Sequence, residues 1–181
     1  MKVLAFAASS SRQSINKQLV SHAADMLRSN IYPEADVEFI DLNDYEMPIY
    51  SVDREMEGGI PEAAHRFFKK IGNADAILIS YAEHNGHYTA AFKNTFDWAS
   101  RIDMKVYQDK PMVIMAASPG PGGGASVLNA AKSSAPFFGA DIKGSISVGP
   151  FSEKFESDSG RLSDPDLTSS LHQSLQALKQ A

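Results

Sequence analysis

The sequence has no cysteine among its 181 residues. That absence excludes a disulfide framework, a cysteine-bound iron–sulfur cluster, a thiolate zinc site and a thiol nucleophile. Any redox chemistry of this chain must therefore come from a bound group, because no thiol can supply it.

Long apolar runs are also missing. None is longer than Val3 to Ala8, which falls far short of the roughly 18 residues that a membrane-spanning helix needs. It is also shorter than the ~7–15-residue apolar core of a secretory signal, and Arg12 follows closely. We interpret the run as a first β-strand and expect no membrane segment and a cytoplasmic location.

An excess of positive charge is absent too. The chain has 17 Lys and Arg against 22 Asp and Glu, a net charge of −5. Nucleic-acid-binding domains usually carry a basic face, so we expect no nucleic-acid partner. The 43% hydrophobic and 22% charged residues are ordinary for a globular chain. We expect a single domain over residues 1–181.

Short apolar runs alternate with segments of helical periodicity. The predicted strands are Val3–Ala7, Val37–Leu42, Ala76–Ser80, Met112–Ala117 and Ile142–Val148. The predicted helices cover Ile15 to Leu27 with Ser14 as N-cap, Ile60–Ile71 with Pro61 in its first turn, Thr89–Ser100, Val127–Phe138, and Asp164 to Lys179.

The resulting order is βαβαβαβαβα. The first, third and fourth strands are continuous apolar runs, which is typical of strands covered on both faces of a parallel sheet. The pattern predicts an α/β fold, a three-layer doubly wound sheet of five parallel strands. The 2-1-3-4-5 strand order and the dinucleotide-binding order both remain open at this point.

The connection Asn43–Gly59 is longer than most loops. Met47, Ile49 and Tyr50 are candidate apolar anchors within it. We expect a packed surface loop and a candidate subunit contact.

Ligands of doubly wound sheets bind beyond the carboxyl ends of the strands, so the loops there are the candidate site. The first, Ala8–Asn16, combines serine hydroxyls and an asparagine with the start of a helix. A helix N-terminus with such donors can hold a phosphate without a metal or a lysine. A plain N-cap in a polar turn is the alternative.

Two further loops follow the third and fourth strands. Tyr81–Tyr88 contains Asn85-Gly86, which favours a tight turn with positive backbone dihedrals and can aim backbone groups at a planar heterocycle. Ser118–Ala125 contains four glycines within five residues. Close approach of a ligand to the main chain explains them, and a mobile turn is the alternative.

Two motif matches suggest a dinucleotide-binding motif and a metal site, and both interpretations are disfavoured. Gly120 to Ala125 matches G-x-G-x-x-A, with Asp141 about 20 residues on. In a dinucleotide-binding unit, however, the motif follows the first strand and the acid ends the next one. Glu83, His84 and His87 suggest a metal but lack further ligands, so we expect no metal site.

Four stretches together resemble the NADPH-dependent FMN reductase family of flavodoxin-like quinone, chromate and azo-dye reductases. They read ASSSRQSIN (8–16), AEHNGH (82–87), KNTFDW (93–98) and SPGPGGGASVL (118–128). The family patterns are G-S-x-R-x-x-S-x-N, P-E-Y-N-G-S, K-N-A-x-D-W and a glycine-rich loop. The resemblance covers nearly the whole chain, including Asp41–Pro48, and implies the 2-1-3-4-5 order.

The chain departs from the family pattern at a few positions. Ala8 replaces a glycine, Ser11 rather than Arg12 stands at the usual arginine, Ala82 replaces a proline and His84 replaces a tyrosine. The histidine is carried over only as a flavin contact.

The resemblance implies a bound FMN and assigns residues to its parts. By this resemblance, the phosphate is bound by Ser9, Ser11, Ser14, Asn16 and the amide of Ile15. The isoalloxazine ring contacts Ala82, Glu83, His84 and Asn85, and the pyrimidine edge of the ring is bound by Ser118, Gly120 and Gly122. Lys93, Asn94, Asp97 and Trp98 are expected to be structural and to fix their helix against the preceding loop.

The implied activity is hydride transfer from NADPH or NADH through FMN to quinones, free flavin or similar small acceptors. No protein side chain is expected to act as acid, base or nucleophile. An FMN-binding electron carrier is the first alternative, although T-x-T-G-x-T and a strong acidic bias are absent. A non-enzymatic binding module is the second. The family also implies a homodimer or homotetramer.

Overall fold

A computed structural model describes residues 1–178. Its main sheet contains β1 (Lys2–Ala8), β2 (Asp36–Phe39), β3 (Ala76–His84), β4 (His87–Tyr88), β5 (Lys110–Ala117) and β6 (Ala140–Val148). Five of these strands are parallel in the order β2-β1-β3-β5-β6, and β4 pairs antiparallel with the end of β3. With β4 set aside this is the flavodoxin-like order 2-1-3-4-5, and the dinucleotide-binding order is excluded.

Helices lie on both faces of the sheet. They are α1 (Ile15–Met26), α2 (Val52–Gly58), α3 (Glu62–Asn73), α4 (Ala90–Ala99), α5 (Ala125–Ser134), α6 (Phe151–Lys154) and α7 (Pro165–Ala177). Helices α1 and α7 pack on one face, and α3, α4 and α5 on the other. A two-stranded ribbon, β7 (Phe155–Glu156) and β8 (Arg161–Leu162), precedes α7.

The apolar strands are buried on both sides, as their sequence predicts. In β1, Val3 and Ala5 join the core under α1 and α7, whereas Leu4 and Phe6 join the opposite core. All four are at most 1% exposed. Successive strand side chains point to opposite faces, so only a strand with helices on both sides uses an unbroken apolar run.

Several predicted boundaries are wrong for local reasons. Strand β3 continues to His84, because its last residues pair with β4 and make the predicted loop a hairpin. Strand β2 stops at Phe39, before Asp41 caps a short 3₁₀ helix. Helix α5 stops at Ser134, where a 3₁₀ turn containing a proline follows. Asp164 is the N-cap of α7, and Lys179 lies outside the described residues.

The segment 43–59 is more regular than predicted, since it contains most of a 3₁₀ turn and the short α2. Met47 is buried and Tyr50 packs edge-on against Trp98 at 5.0 Å, which confirms both as anchors. Ile49 is 75% exposed, so its prediction as an anchor is wrong.

Within residues 1–178, no helix is both long enough and apolar enough to span a membrane.

His22 on α1 is a buried titratable group far from the predicted loops. Its ring packs edge-on against Phe155, and its Nε2 atom has no hydrogen-bond partner among the described residues. Burial lowers the pKa of His22; the Asp25 carboxylate opposes this and the Arg161 guanidinium adds to it. The folded protein therefore holds the neutral imidazole.

We expect stability to fall with acidification because of His22. The unfolded chain takes up this proton near a pKa of 6.5, whereas the folded chain resists it. The His22 contribution is therefore full above that pH and declines as the pH drops below it. Urea unfolding should show a shallower acid decline for His22→Leu than for the native chain. His65→Gln, at an exposed position, is the control and should follow the native curve; equal slopes for His22→Leu would contradict the prediction.

Candidate active site

The parallel register brings three loops to one edge of the sheet. Ala8 lies beside Tyr81, Ala82 beside Ala117, and Ala117 beside Val148. The chain therefore leaves β1, β3, β5 and β6 at nearly the same level. The loops singled out in the sequence are neighbours above these strand ends.

The loop after β1 ends at the N-terminus of α1. Ser14 is the N-cap, as predicted, and its Oγ accepts from the Asn16 N–H at 3.2 Å. Ser9 is buried, and its Oγ accepts from the Ser11 N–H. No hydrogen bond among residues 1–178 engages the N–H groups of Arg12, Gln13 or Ile15. Free amides, hydroxyls and the positive helix end suit an anion such as a phosphate.

Residues of the segment after β2 support this loop from the side. Asn43 donates to the Ser10 carbonyl at 3.1 Å, and Asp41 accepts from Asn43 and from Lys17 at 2.5 Å. Burial alone would raise the pKa of Asp41, but the hydrogen bonds from Lys17 and Asn43 outweigh it and hold that pKa below its usual value. Asp41–Pro48 carried a family likeness, but nothing in the sequence indicated a contact with the β1 loop.

Asn16 is the most deeply buried of the residues that the sequence assigns to the phosphate. The residue is 2% exposed. Its Oδ1 atom accepts from Ser80 Oγ at 2.7 Å and from the Ala117 N–H at 2.9 Å, and its Nδ2 atom donates to the Ala117 carbonyl at 3.1 Å. Its acceptor and one donor therefore already serve the ends of β3 and β5, and its assignment to the phosphate stays a prediction.

The end of β3 presents backbone and exposed side chains at the same edge. Asn85 and Gly86 have φ values of 53° and 79°, which confirms the tight turn. His84 and His87 face each other across the hairpin, both exposed. Glu83 reaches sideways, and its Oε2 accepts from the Val127 N–H at 2.9 Å. It thereby caps α5, whose own N-cap, Gly124, has no side chain to do so.

Tyr81 lies beneath this edge rather than above it. It is fully buried, and its hydroxyl is 3.1 Å from that of Tyr107. Burial raises the pKa of both phenols, so both stay neutral. The pair supplies no acid or base to the surface.

The glycine-rich loop after β5 separates into two kinds of glycine. Gly123 and Gly124 have φ values of 60° and 76° in a compact turn, so the fold itself requires them. Gly120 and Gly122 are exposed, and a Cβ on either would meet nothing within 4 Å. Their N–H groups make no hydrogen bond among the described residues. Ser118 Oγ donates to the Gly120 carbonyl, so the free donors of this loop are backbone amides.

Gly149, after β6, also belongs to the site and escaped sequence reasoning. A Cβ there would lie 2.4 Å from the Gly120 carbonyl oxygen and 2.5 Å from the Gly123 nitrogen. The glycine-rich loop can rest on this strand end only because position 149 has no side chain. A lone glycine-proline pair offered no signal for this contact.

Helix α4 anchors the edge to the preceding segment. Thr89 caps α4 and donates to the Ala8 carbonyl at 3.0 Å, which ties the helix to the end of β1. Asn94 donates to the Met47 and Pro48 carbonyls, and Trp98 Nε1 donates to Pro48 at 2.7 Å. The structural role expected of Asn94 and Trp98 is confirmed. Lys93 and Asp97 pair with each other along the helix instead of with the loop.

The described residues contain no group of three or more His, Asp or Glu side chains that could hold a metal. Glu83, His84 and His87 do not converge, since the Glu83 carboxylate binds at the start of α5 while the two histidines remain on the hairpin.

Comparison with known proteins identifies the family of this chain. A family model for NADPH-dependent FMN reductases matches residues 1–150. The chain is 34% identical over 126 residues to an NADPH:quinone oxidoreductase of Arabidopsis thaliana, covering 70% of this chain and 62% of that protein. It is 29% identical over 181 residues to an NAD(P)H-dependent FMN reductase of Pseudomonas aeruginosa, covering 99% and 94%.

A solved flavoenzyme, the NAD(P)H:(acceptor) oxidoreductase FerB of Paracoccus denitrificans, superposes with a TM-score of 0.72 at 23% identity, covering 98% of this chain and 94% of that one. This likeness supports the fold. The chain spans only about 62% of the length of the Arabidopsis relative. The family match, in contrast, takes in every strand of the main sheet and all three loops. The chain belongs to the NADPH-dependent FMN reductase family.

Proposed function

We propose that this protein is an FMN-dependent NAD(P)H oxidoreductase that passes a hydride from NADPH or NADH through bound FMN to a small acceptor such as a quinone or free flavin. The observation that carries the proposal is the helix end of α1, with unpaired amides, level with the exposed backbone that follows β3 and β5. That edge can take an anionic group at one end and a flat ring at the other.

The residues divide into binding tasks. Ser9, Ser11, Ser14 and the Ile15 amide would hold the phosphate, and Ala82–Asn85 would lie along the isoalloxazine ring. The Gly120 and Gly122 amides would point at its pyrimidine edge. Preorganised N–H donors at that edge favour negative charge on the ring, which is how a protein assists flavin reduction electrostatically.

Bound FMN supplies the redox chemistry, exchanging a hydride with the nicotinamide and with the acceptor. The chain's own side chains then need only bind and orient. The buried tyrosine pair agrees with this division, and so does Glu83, whose carboxylate caps α5, because neither is free to move a proton at the surface.

A flavodoxin-type electron carrier is the competing function. It would bind FMN at the same edge but would not oxidise nicotinamide. The relatives named as quinone and FMN reductases favour the enzyme.

Anaerobic rapid mixing tests the proposal. The FMN-loaded protein should lose its yellow absorbance within seconds of mixing with NADPH or NADH, and should recover it when a quinone is added. The comparison of the two nucleotides gives the preferred donor. Bleaching no faster than that of free FMN would support the carrier, and a protein that takes up no FMN would refute both flavin functions.

Subunit assembly is a second part of the proposal. A cavity of about 370 Å³ lies between α4 and α5 and is lined by aromatic side chains that include Tyr88, Phe92 and Phe96. Met56 on α2 and Phe137 after α5 are 81% and 80% exposed. Such uncovered apolar surface supports the homodimer or homotetramer that the family resemblance implies. The cysteine-free sequence is compatible with the cytoplasm, which we propose as its compartment.

A further inference from the structure

Asn16 connects the part of the site assigned to phosphate with the parts assigned to the flavin ring. It belongs to the first turn of α1, two residues after the Ser14 N-cap. Its side chain bonds to Ser80, two residues before the ring segment, and to both main-chain groups of Ala117, the residue before the glycine-rich loop. This buried amide, at the end of the first loop, thus bonds to residues near the starts of the other two loops.

The side-chain amide of Asn16 pairs with the main chain of Ala117 in the way that two neighbouring strands pair. The Asn16 amide accepts from the Ala117 N–H and donates to its carbonyl, so it meets this peptide as a neighbouring strand would. Hydrogen bonds are short-ranged and directional, and this site excludes water. A displacement of α1 would therefore move the end of β5 or leave buried polar groups unpaired.

Glu83 restrains the same loop at its far end. Its carboxylate binds the Val127 N–H of α5, just after the glycine-rich loop, while its backbone belongs to the ring segment. Asn16 holds the residue before that loop and Glu83 holds the first turn of the helix after it. Two side chains that family resemblance assigns to the flavin thus make hydrogen bonds between the loops.

We propose that Asn16 is a positioning residue that couples the phosphate end of the site to its ring end without contacting the phosphate. The inference rests on the proposed function, since it assumes that flavin binds at this edge. It differs from the family-based assignment in a measurable way. A phosphate ligand acts only on flavins that carry a phosphate, whereas a residue that places the ring loops acts on all of them.

Binding of FMN and of riboflavin, which lacks the phosphate, separates the two roles. Quenching of flavin fluorescence gives both dissociation constants. Asn16→Ala should weaken FMN and riboflavin by a similar factor, about tenfold, and should shift the visible spectrum of the saturated protein towards that of free flavin. Ser14→Ala should weaken FMN and leave riboflavin nearly unchanged. Asn73→Ala, at an exposed position at the C-terminus of α3, is the matched control and should change neither.

A second variant keeps the test valid if Asn16→Ala fails to fold. Ser80→Ala removes one bond of the network and leaves the Ala117 pairing in place, so it should weaken both flavins equally but by a smaller factor. Loss of FMN binding alone in Asn16→Ala, or an unchanged spectrum together with unchanged constants, would overturn the inference while leaving the proposed function intact. A native chain that binds neither flavin would instead refute the proposed function, and the inference with it.

Discussion

Ser14→Glu is expected to abolish FMN retention. The new carboxylate would stand at the N-terminus of α1, where Ser14 Oγ now caps the Asn16 amide. The positive helix end keeps such a carboxylate ionised, so it would oppose a phosphate dianion in the same place. Like charges so close cost several kcal/mol. At about 1.4 kcal/mol per tenfold, we expect FMN affinity to fall by ~100-fold or more.

Ser14→Ala is the matched control, because it removes the cap without adding charge. It should weaken FMN far less than Ser14→Glu does. Isothermal titration with FMN and riboflavin is the measurement, and riboflavin should lose little affinity in either variant. Full flavin occupancy of purified Ser14→Glu would show that the phosphate does not bind at this helix end.

Gly149→Ala should damage stability and flavin binding together. The added Cβ would meet backbone atoms of the glycine-rich loop at 2.4 and 2.5 Å, which no rotation of a side chain can relieve. Overpacking of this kind costs typically about 1–3 kcal/mol. In a chain of this size, that corresponds to a fall in Tm of roughly 3–10 °C. Because the loop must move, FMN affinity should drop about tenfold or more.

Gly58→Ala gives the control for that experiment. Position 58 ends α2, its φ is not in the left-handed region, and a Cβ there would meet nothing within 4 Å. Calorimetry should show a Tm close to that of the native chain, and FMN titration should show unchanged affinity. A Gly149→Ala protein with native Tm and native FMN affinity would mean that the glycine-rich loop does not depend on the end of β6.

Local signals predicted most of the framework. The apolar runs of β1, β3 and β5 indicated strands covered on both faces, and both cores contain their alternate residues. Ser14 was recognisable as a cap, and Asn85-Gly86 as a turn with positive dihedrals. These features depend on residues close in sequence, so they can be predicted without the tertiary fold.

Boundaries and side-chain assignments were less predictable. The extension of β3 to His84 depends on pairing with β4. Ile49 is as apolar as an anchor residue but is exposed, and the adjacent α2 has no buried residue either. Each case depends on which partner reaches the residue, and periodicity does not contain that information.

The candidate site shows the same division between features set by neighbouring residues and features set by distant partners. By itself, the sequence determined the α/β class, and it predicted a candidate site beyond the strand ends with a helix end suited to a phosphate, since these follow from hydrophobic patterning and local capping. Only the tertiary structure decided what Asn16, Glu83 and Gly149 do. The partners of Asn16 in β3 and β5 lie 64 and 101 residues away. A hydrogen bond over such a separation exists only after the sheet has set the register that brings its groups together.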